Sequence, residues 1–359
     1  MTDREVALAT LHHHLSRAQR YPALIFSDAT LEATRALMRV ADPEKDLDAA
    51  HTMGWYHWQR SLALPAGRDE EDQIAAVGHL VRFYQARPEL ASAALERVVH
   101  QAGPISLVTT GLLLVMDRYA DKLLATFSES RQEQLLDMAI VQFRAMLAAM
   151  PKHFPTRPSN LNGLGLALGF LFEDTKELSM AQEAVEVLRE AVCTASIDHP
   201  ERAISLGGLA AALAHLYGCT QEVELLEEAA RMAREASAIT PFGHPYRPQA
   251  LSTQGYVLHL WCARTNELST AQEAVEALRE SLATTPRDHP ERCYRLSNLG
   301  AVLLRVSTHT RERATAEEAA RVLREAVART PGDHPLRSAR LGILGEALLR
   351  VSEYTGRAE

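Results

Sequence analysis

Apolar residues return every three or four positions through most of the chain, and the order in which they return repeats with a period of 45 residues. Leu206, Leu209 and Leu213 in one unit match Leu296, Leu299 and Leu303 two units later, a spacing that places each set on one face of a helix. A polar stretch follows around Thr175, Thr220, Thr265 and Thr310, and then a second apolar stripe, as in Val185, Leu188 and Val192. Each unit therefore reads as a hairpin of two amphipathic helices, A and B. His-Pro pairs at 199/200, 244/245, 289/290 and 334/335 precede the A stripes, with Pro155 one period earlier. Proline is tolerated at the first helical position because that N–H has no intrahelical partner, so these prolines predict the start of each A helix. Ten residues after each proline stands a small residue: Gly165, Ala210, Gly255, Gly300 and Gly345. Glycine inside a helix costs about 1 kcal/mol against alanine, so close packing of a neighbouring helix is the compensation expected there.

Segments such as AVEVLREAV from Ala184 recur in the same register at Ala229, Ala274 and Ala319, and AIVQFRAML at Ala139 stands one period earlier. The repeat predicts an all-α, right-handed solenoid over residues 104–359, with units near 104–153, 154–198, 199–243, 244–288 and 289–333 and a half unit at 334–359. Residues 1–103 are helical but out of register and read as a cap, with helices over 3–19, 28–41, 44–63, 68–86 and 88–101. In the half unit, Leu341, Leu344, Leu348 and Val351 are expected to cover the last hairpin, leaving Ile343 and Ala347 without a partner. An apolar strip of that kind points to self-association, a partner or a trimmed chain, and the alternative is a final helix that merely caps the array.

Composition narrows the function classes. With 38 Lys and Arg against 46 Asp and Glu the net charge is −8, which supplies no global field for nucleic acid. The first 20 residues carry charge every few positions, no later run approaches membrane-spanning length, and Cys193, Cys219, Cys262 and Cys293 contain no CxxC pair. Those features predict a cytoplasmic protein with reduced thiols and no membrane partner.

Segments such as LSNLGAVLLRV and AEEAARVLREAVARTPGDHP resemble tetratricopeptide repeats, in the lengthened form found before the protease-like CHAT domain of many bacterial multidomain proteins. The resemblance covers roughly residues 104–359, and GWYHWQRSLALPAGRDEED, residues 54–72, resembles the segment preceding those repeats. It implies a scaffold that binds another protein or a peptide on its concave A-helix surface, in the role of an adaptor or regulator. The period is longer than the usual tetratricopeptide unit, and no protease-like domain follows, so no catalytic residue is carried over.

Candidate chemistry is sparse. Arg157, Arg202, Arg247, Arg292 and Arg337 form a ladder that suits either an acidic peptide track or packing between repeats. His199, His244, His289 and His334 stand too far apart to share a metal ion and read as turn residues. Positions 4, 5 and 8 after each proline lie off the Leu stripe and vary between units, which makes Asn160, Gln249, Thr253, Tyr294, Arg295, Asn298 and Arg340 the candidate partner-binding residues. An alternative reading as an enzyme or small-molecule binder places a pocket near Trp55, His57, Trp58, Arg60 and His79. A third reading is self-assembly as a homo-oligomer through the unpaired C-terminal helix. His12, His13 and His14 point in different directions on a helix, and Cys293 sits at a helix start beside Arg292 and Arg295. GxGxxG, P-loop, HExxH and GxSxG motifs are absent, so neither catalysis nor any cofactor or metal is indicated.

Overall fold

The computed structural model describes residues 1–65, 67–102, 106–197, 199, 201–332, 334 and 336–355. Pro200 and Pro335, the expected onset at 104 and the last four residues of the half unit lie outside the described residues. Sixteen α-helices follow one another without a strand among the described residues. They are α1 (Asp3–Arg20), α2 (Asp28–Val40), α3 (Leu47–Ala63), α4 (Glu70–Ala86), α5 (Ala91–Ala102), α6 (Leu107–Ser130), α7 (Glu133–Ala149) and α8 (Arg157–Thr175). Then come α9 (Leu178–Thr194), α10 (Arg202–Thr220), α11 (Val223–Ile239), α12 (Arg247–Thr265), α13 (Leu268–Ala283), α14 (Arg292–Thr310), α15 (Arg313–Ala328) and α16 (Arg337–Thr355). From α8 onward, even numbers are A helices and odd numbers are B helices.

The chain forms two compact units, Met1–Ala167 and Leu168–Glu359, with the boundary inside α8. The first repeat-like hairpin, α6 with α7, belongs to the first unit because α6 packs on α4 and α5, and α7 on α5. In that unit the five predicted N-terminal helices appear with ends within three residues of expectation. The second unit is a stack of hairpins in which each helix touches its chain neighbours. Its A helices also touch one another, α10 to α12, α12 to α14 and α14 to α16.

The A helices begin two residues after the prolines, at Arg157, Arg202, Arg247, Arg292 and Arg337, so the described Pro155, Pro245 and Pro290 sit in the preceding turn. The turn is closed by histidine: Nδ1 of His199, His244, His289 and His334 accepts the backbone N–H two residues on, at 3.1–3.2 Å. The helix start is then fixed by arginine. Nη1 of each ladder arginine donates to two carbonyls at the end of the preceding B helix: Leu147 and Met150 for Arg157, Val192 and Ala195 for Arg202, Ser237 and Thr240 for Arg247, Leu282 and Thr285 for Arg292, Val327 and Thr330 for Arg337. The last carbonyls of a helix lack internal donors and carry its negative pole, so a guanidinium there meets both needs. The Arg ladder is thus a joint between successive hairpins and not a track open to a ligand.

Between A and B the chain turns through a left-handed residue, Lys176, Gln221, Asn266 or Arg311, with φ of 56–62°. The preceding threonine assists: the Thr175, Thr220 and Thr310 hydroxyls accept the N–H two residues on.

Two ion-pair ladders run along the B side. Arg189, Arg234 and Arg279 of one B helix meet Glu228, Glu273 and Glu318 of the next at 2.6, 2.8 and 2.8 Å. Arg202, Arg247 and Arg292 of each A helix meet Glu235, Glu280 and Glu325 of the B helix in the same hairpin at 3.1, 2.7 and 3.6 Å. The B-to-B pairs are open to solvent and each contributes little to stability, whereas the arginines of the second ladder are largely buried.

Contrary to the sequence expectation, α10 is long and apolar enough to cross a bilayer by length and composition. Here it is a core helix, its Leu206, Leu209 and Leu213 buried among α9, α11 and α12.

The C-terminal helix corrects the expected facing. Leu341 and Leu348 are 48% and 39% exposed, while Ala347 is fully buried and Arg340 nearly so. In earlier units the Leu stripe of an A helix is covered by its own B helix, and among the described residues none covers α16. What α16 turns toward α14 and α15 is the neighbouring side, centred on Arg340 and Ala347 with Ile343, Leu344 and Val351 half-buried at its edges, and there the Tyr354 hydroxyl donates to the Ser307 carbonyl at 2.8 Å.

Candidate functional site

The fourth, fifth and eighth positions after the proline part company once the A helices are stacked. The fifth position is buried in every unit: Asn160, Ser205, Ala250, Arg295 and Arg340. The fourth is partly or fully open in every unit: Ser159, Ile204, Gln249, Tyr294 and Ala339. At the eighth, Gly208, Asn298 and Ile343 are partly open and Thr253 is buried. A step of one residue rotates a helix position by about 100°, enough to carry it from the outer row into the joint between hairpins. Of the seven candidates, then, Gln249, Tyr294 and Asn298 reach solvent, whereas Asn160, Thr253, Arg295 and Arg340 lie inside the packing.

Four of the candidates are brought together in the second unit. Arg295 donates to Glu291 at 2.8 Å, to Gln249 at 3.3 Å and, through Nη1, to the Thr285 hydroxyl. One unit on, Arg340 donates to the Thr330 hydroxyl at 2.6 Å and lies 4.5 Å above the Tyr294 ring. The Tyr294 hydroxyl is 3.0 Å from Nε2 of His334, whose Nδ1 already accepts the Leu336 N–H, so in the neutral ring Nε2–H donates to Tyr294. Asn160, in the first unit, donates to the Thr156 carbonyl at 3.0 Å and serves that helix start.

Arg340 differs from Arg295 in one respect. Glu291 stands four residues before Arg295; the equivalent before Arg340 is Leu336, 45% exposed, and Nη2 of Arg340 is buried without an acceptor among the described residues. A buried guanidinium lacking its carboxylate is destabilising. Leu336→Glu is expected to raise stability by roughly 1 kcal/mol, seen as a higher urea midpoint, with no gain when Arg340→Met is already present.

The residues of the alternative pocket lie in the first unit. Trp55 and Trp58 are buried, their indole N–H groups donating to His51 Nε2 at 2.9 Å and Gln101 Oε1 at 2.8 Å. Nδ1–H of His57 donates to Asp72 at 2.6 Å, and Arg60 donates to the other oxygen of Asp72 at 3.1 Å and to the Tyr56 hydroxyl at 3.1 Å. His79 stacks on His57 with centroids 5.9 Å apart, and burial lowers its pKa. His57, Arg60 and His79 gather around one another and around the buried Asp72 carboxylate, which the sequence reading did not single out and which ties α3 to α4, whereas Trp55 and Trp58 find their partners elsewhere.

Two clefts occur elsewhere. One of about 460 Å³ is lined by Glu224, Glu227, Glu228, Arg231, Arg234 and Trp261, and one of about 170 Å³ by Leu113, Asp117, Phe154 and their neighbours. Neither borders the Trp55–His79 cluster. Among the described residues no three His, Cys, Asp or Glu side chains are placed to hold a metal ion. His12 reaches the Thr52 hydroxyl at 2.9 Å, and Cys293 is buried with its thiol donating to the Pro290 carbonyl at 3.4 Å.

No protein-family model matches the chain, and no curated protein matches it. Among solved structures it is similar to a Podosopora anserina putative kinesin light chain with nearly identical TPR-like repeats, at 20% identity and a TM-score of 0.39 over 58% of this chain and 95% of that one. It is also similar to an inactive variant of the alpha-1,6-mannanase GH76A of Salegentibacter sp., at 13% identity and a TM-score of 0.34 over 67% and 88% of the two chains. The S. pombe nuclear import adaptor Nro1 aligns over 98% and 99% of the two chains at 10% identity and a TM-score of 0.27. Likenesses this distant transfer neither partner nor activity; the hairpin array stands on the chain's own 45-residue repeat and its paired helices.

Proposed function

We propose that this protein is a repeat scaffold that binds an extended segment of another protein along the A helices of its second unit, as an adaptor and not a catalyst. One observation carries the reading. The recurring side chains (the ladder arginines, the turn histidines, the Arg–Glu pairs and the Leu stripe) are engaged in holding hairpins together, while the open fourth position and, apart from the buried Thr253, the partly open eighth differ from unit to unit. A constant frame with a varied outer row is the arrangement that repeat proteins use to recognise different partners. In α12 and α14 that row offers Gln249, Tyr294 and Asn298, two amides and a phenol able to meet the backbone of an extended chain. The resemblance of the repeat to tetratricopeptide units supports the same reading, and four free cysteines support a reducing cytoplasmic setting.

Placing a photo-crosslinking phenylalanine analogue at Gln249, Tyr294 or Asn298 in the source cell tests this. Adducts with one protein from these positions, and none from exposed Arg321 on a B helix, are expected. Equal labelling from both sides, or none from the A row, would overturn the proposal.

A further inference from the structure

The 45-residue repeat shows where one hairpin departs from the others. Sixteen residues after the proline, the other A helices of the array carry Leu171, Leu216, Val306 and Val351, with Leu216 and Val306 buried; α12 carries Trp261, and it is half-buried. Two turns earlier on the same side, where Leu209 and Leu299 stand in the neighbouring units, α12 has Gln254. Its side-chain N–H donates to Glu273 at 3.0 Å, and Glu273 holds Arg234 at 2.8 Å. The B helix α11, which packs on α12, departs as well. It has Ala230 where α9 and α13 have Val185 and Val275, Glu224 where they have serine, and Glu227 where they have glutamine. Trp261, Ala230, Glu224 and Glu227 line one cleft of about 460 Å³ in the second unit, together with Glu228, Arg231 and Arg234.

Charge and an unengaged aromatic ring select the ligand. Glu228 is paired with Arg189, and Arg234 with Glu273, so the recurring ladder cancels itself. Exposed Glu224, Glu227 and Arg231 have no ion-pair partner among the described residues, which leaves two carboxylates against one guanidinium in the cleft. Trp55 and Trp58 are buried with their indole N–H groups bonded. Trp261 has neither a hydrogen bond to that N–H nor a cation or ring contact among the described residues. A buried aliphatic residue satisfies the same position in α10 and α14, so packing between hairpins does not call for an indole there.

We infer that this cleft is a binding site for an arginine side chain of a partner protein. A guanidinium is planar and weakly hydrated, and it both stacks on indole and pairs with carboxylates, whereas an ammonium is compact and strongly hydrated. Trp261 supplies the first contact, and Glu224 and Glu227 supply the second. Ala230, a methyl where α9 and α13 have a branched side chain, enlarges the cleft. Gln254 keeps Arg234 engaged with Glu273 and so leaves the two carboxylates free. The site lies on α11 and the end of α12 and does not rest on the A-row reading above.

The indole N–H resonances of the isotopically labelled full chain test this, with that of Trp261 assigned by its loss in Trp261→Phe. The probes are N-acetyl-arginine methylamide, its lysine and citrulline counterparts, and agmatine. A saturable shift confined to Trp261 is expected for the arginine compound, with affinity lowered about tenfold by Glu224→Gln/Glu227→Gln. Arg231→Gln, which removes the one opposing charge, should strengthen it. The citrulline compound keeps the shape without the charge and should leave Trp261 unmoved. No shift, equal shifts at Trp55 and Trp58, or a shift indifferent to the glutamate changes would overturn the inference. Equal binding of the lysine compound would remove the guanidinium as the recognised group. Binding of agmatine with exclusion of the blocked arginine would make the ligand a small metabolite and sink the partner-protein assignment. Crosslinks from Gln249, Tyr294 and Asn298 report on the A row and these shifts on the cleft, so either proposal can fail alone.

Discussion

Acidification from pH 7 to pH 4 is expected to strip several kcal/mol from this protein, with His51 in the first unit and His259 in the second as the main causes. Burial lowers the pKa of His51 to about 4, aided by the nearby positive charges of His12, Arg97 and Arg87 and opposed by Asp48. Its Nε2 accepts the Trp55 indole N–H at 2.9 Å and faces the Tyr84 hydroxyl at 3.2 Å, while the ring stacks on Phe83 with centroids 4.2 Å apart. Protonation would put a donor where Nε2 must accept. Burial likewise brings His259 to about 4, with Arg305 adding repulsion, and its Nδ1 is buried without a partner among the described residues.

The sign follows from linkage. Each imidazole has an ordinary value of 6.5 and a lower value when folded, so between pH 6.5 and 4 the unfolded chain binds protons that the folded chain refuses. Stability from these two groups is full above 6.5, declines through that window and is gone below 4. The loss is about 3 kcal/mol for each group, at roughly 1.4 kcal/mol per unit of pKa. Urea midpoints measured from pH 7.5 to 4 check this. His259→Phe should flatten the profile of the second unit, followed by Trp261 fluorescence in a Trp55→Phe/Trp58→Phe background; an unchanged slope would remove His259 as the cause.

Gly300→Leu should be among the most damaging single changes in the second unit, and the same change in kind at Gly345 should be harmless. At Gly300 the new side chain meets Leu323, whose Cγ is 2.4 Å from the ideal Cβ position, with both helices fixed by their neighbours. Overpacking costs typically 1–3 kcal/mol, and a branched side chain of four carbons belongs at or above the top of that range. Gly345→Ala meets nothing within 4 Å and removes the helix penalty of glycine, a gain of about 0.5–1 kcal/mol. Ala210 and Ala233, both fully buried, hold the same two register positions one unit before Gly255 and Leu278. Gly300→Ala combined with Leu323→Ala should therefore cost less than the sum of the single changes, with a coupling of 0.5–3 kcal/mol in a double-mutant cycle. Simple additivity would show that the two side chains do not share the space.

The period, the hairpins and the ends of the N-terminal helices were legible in the sequence, because amphipathic spacing and turn residues act over one helix at a time. The turn role of the histidines was legible for the same reason: Nδ1 and its N–H lie two residues apart. The arginine ladder was legible as a ladder, but its acceptors, carbonyls seven and ten residues back, belong to the end of another helix. Its acidic partners, 33 residues on, are set by how the two helices of one hairpin pack, and those of the B-helix arginines, 39 residues on, by how far one hairpin rotates against the next. That rotation also decided the site. Arg295 and Tyr294 are adjacent in sequence, and polarity alone would put the arginine outside, yet stacking places it in the joint and leaves the tyrosine partly open. Of the α16 stripe read as inward, Leu344 and Val351 are half-buried while Leu341 and Leu348 are exposed, because periodicity shows which residues share a side, whereas only the presence or absence of a covering helix decides which side is inside. A helix determines its own stripes from local sequence; what buries them is a property of its neighbours, and that information is carried by packing at distances the sequence pattern does not encode.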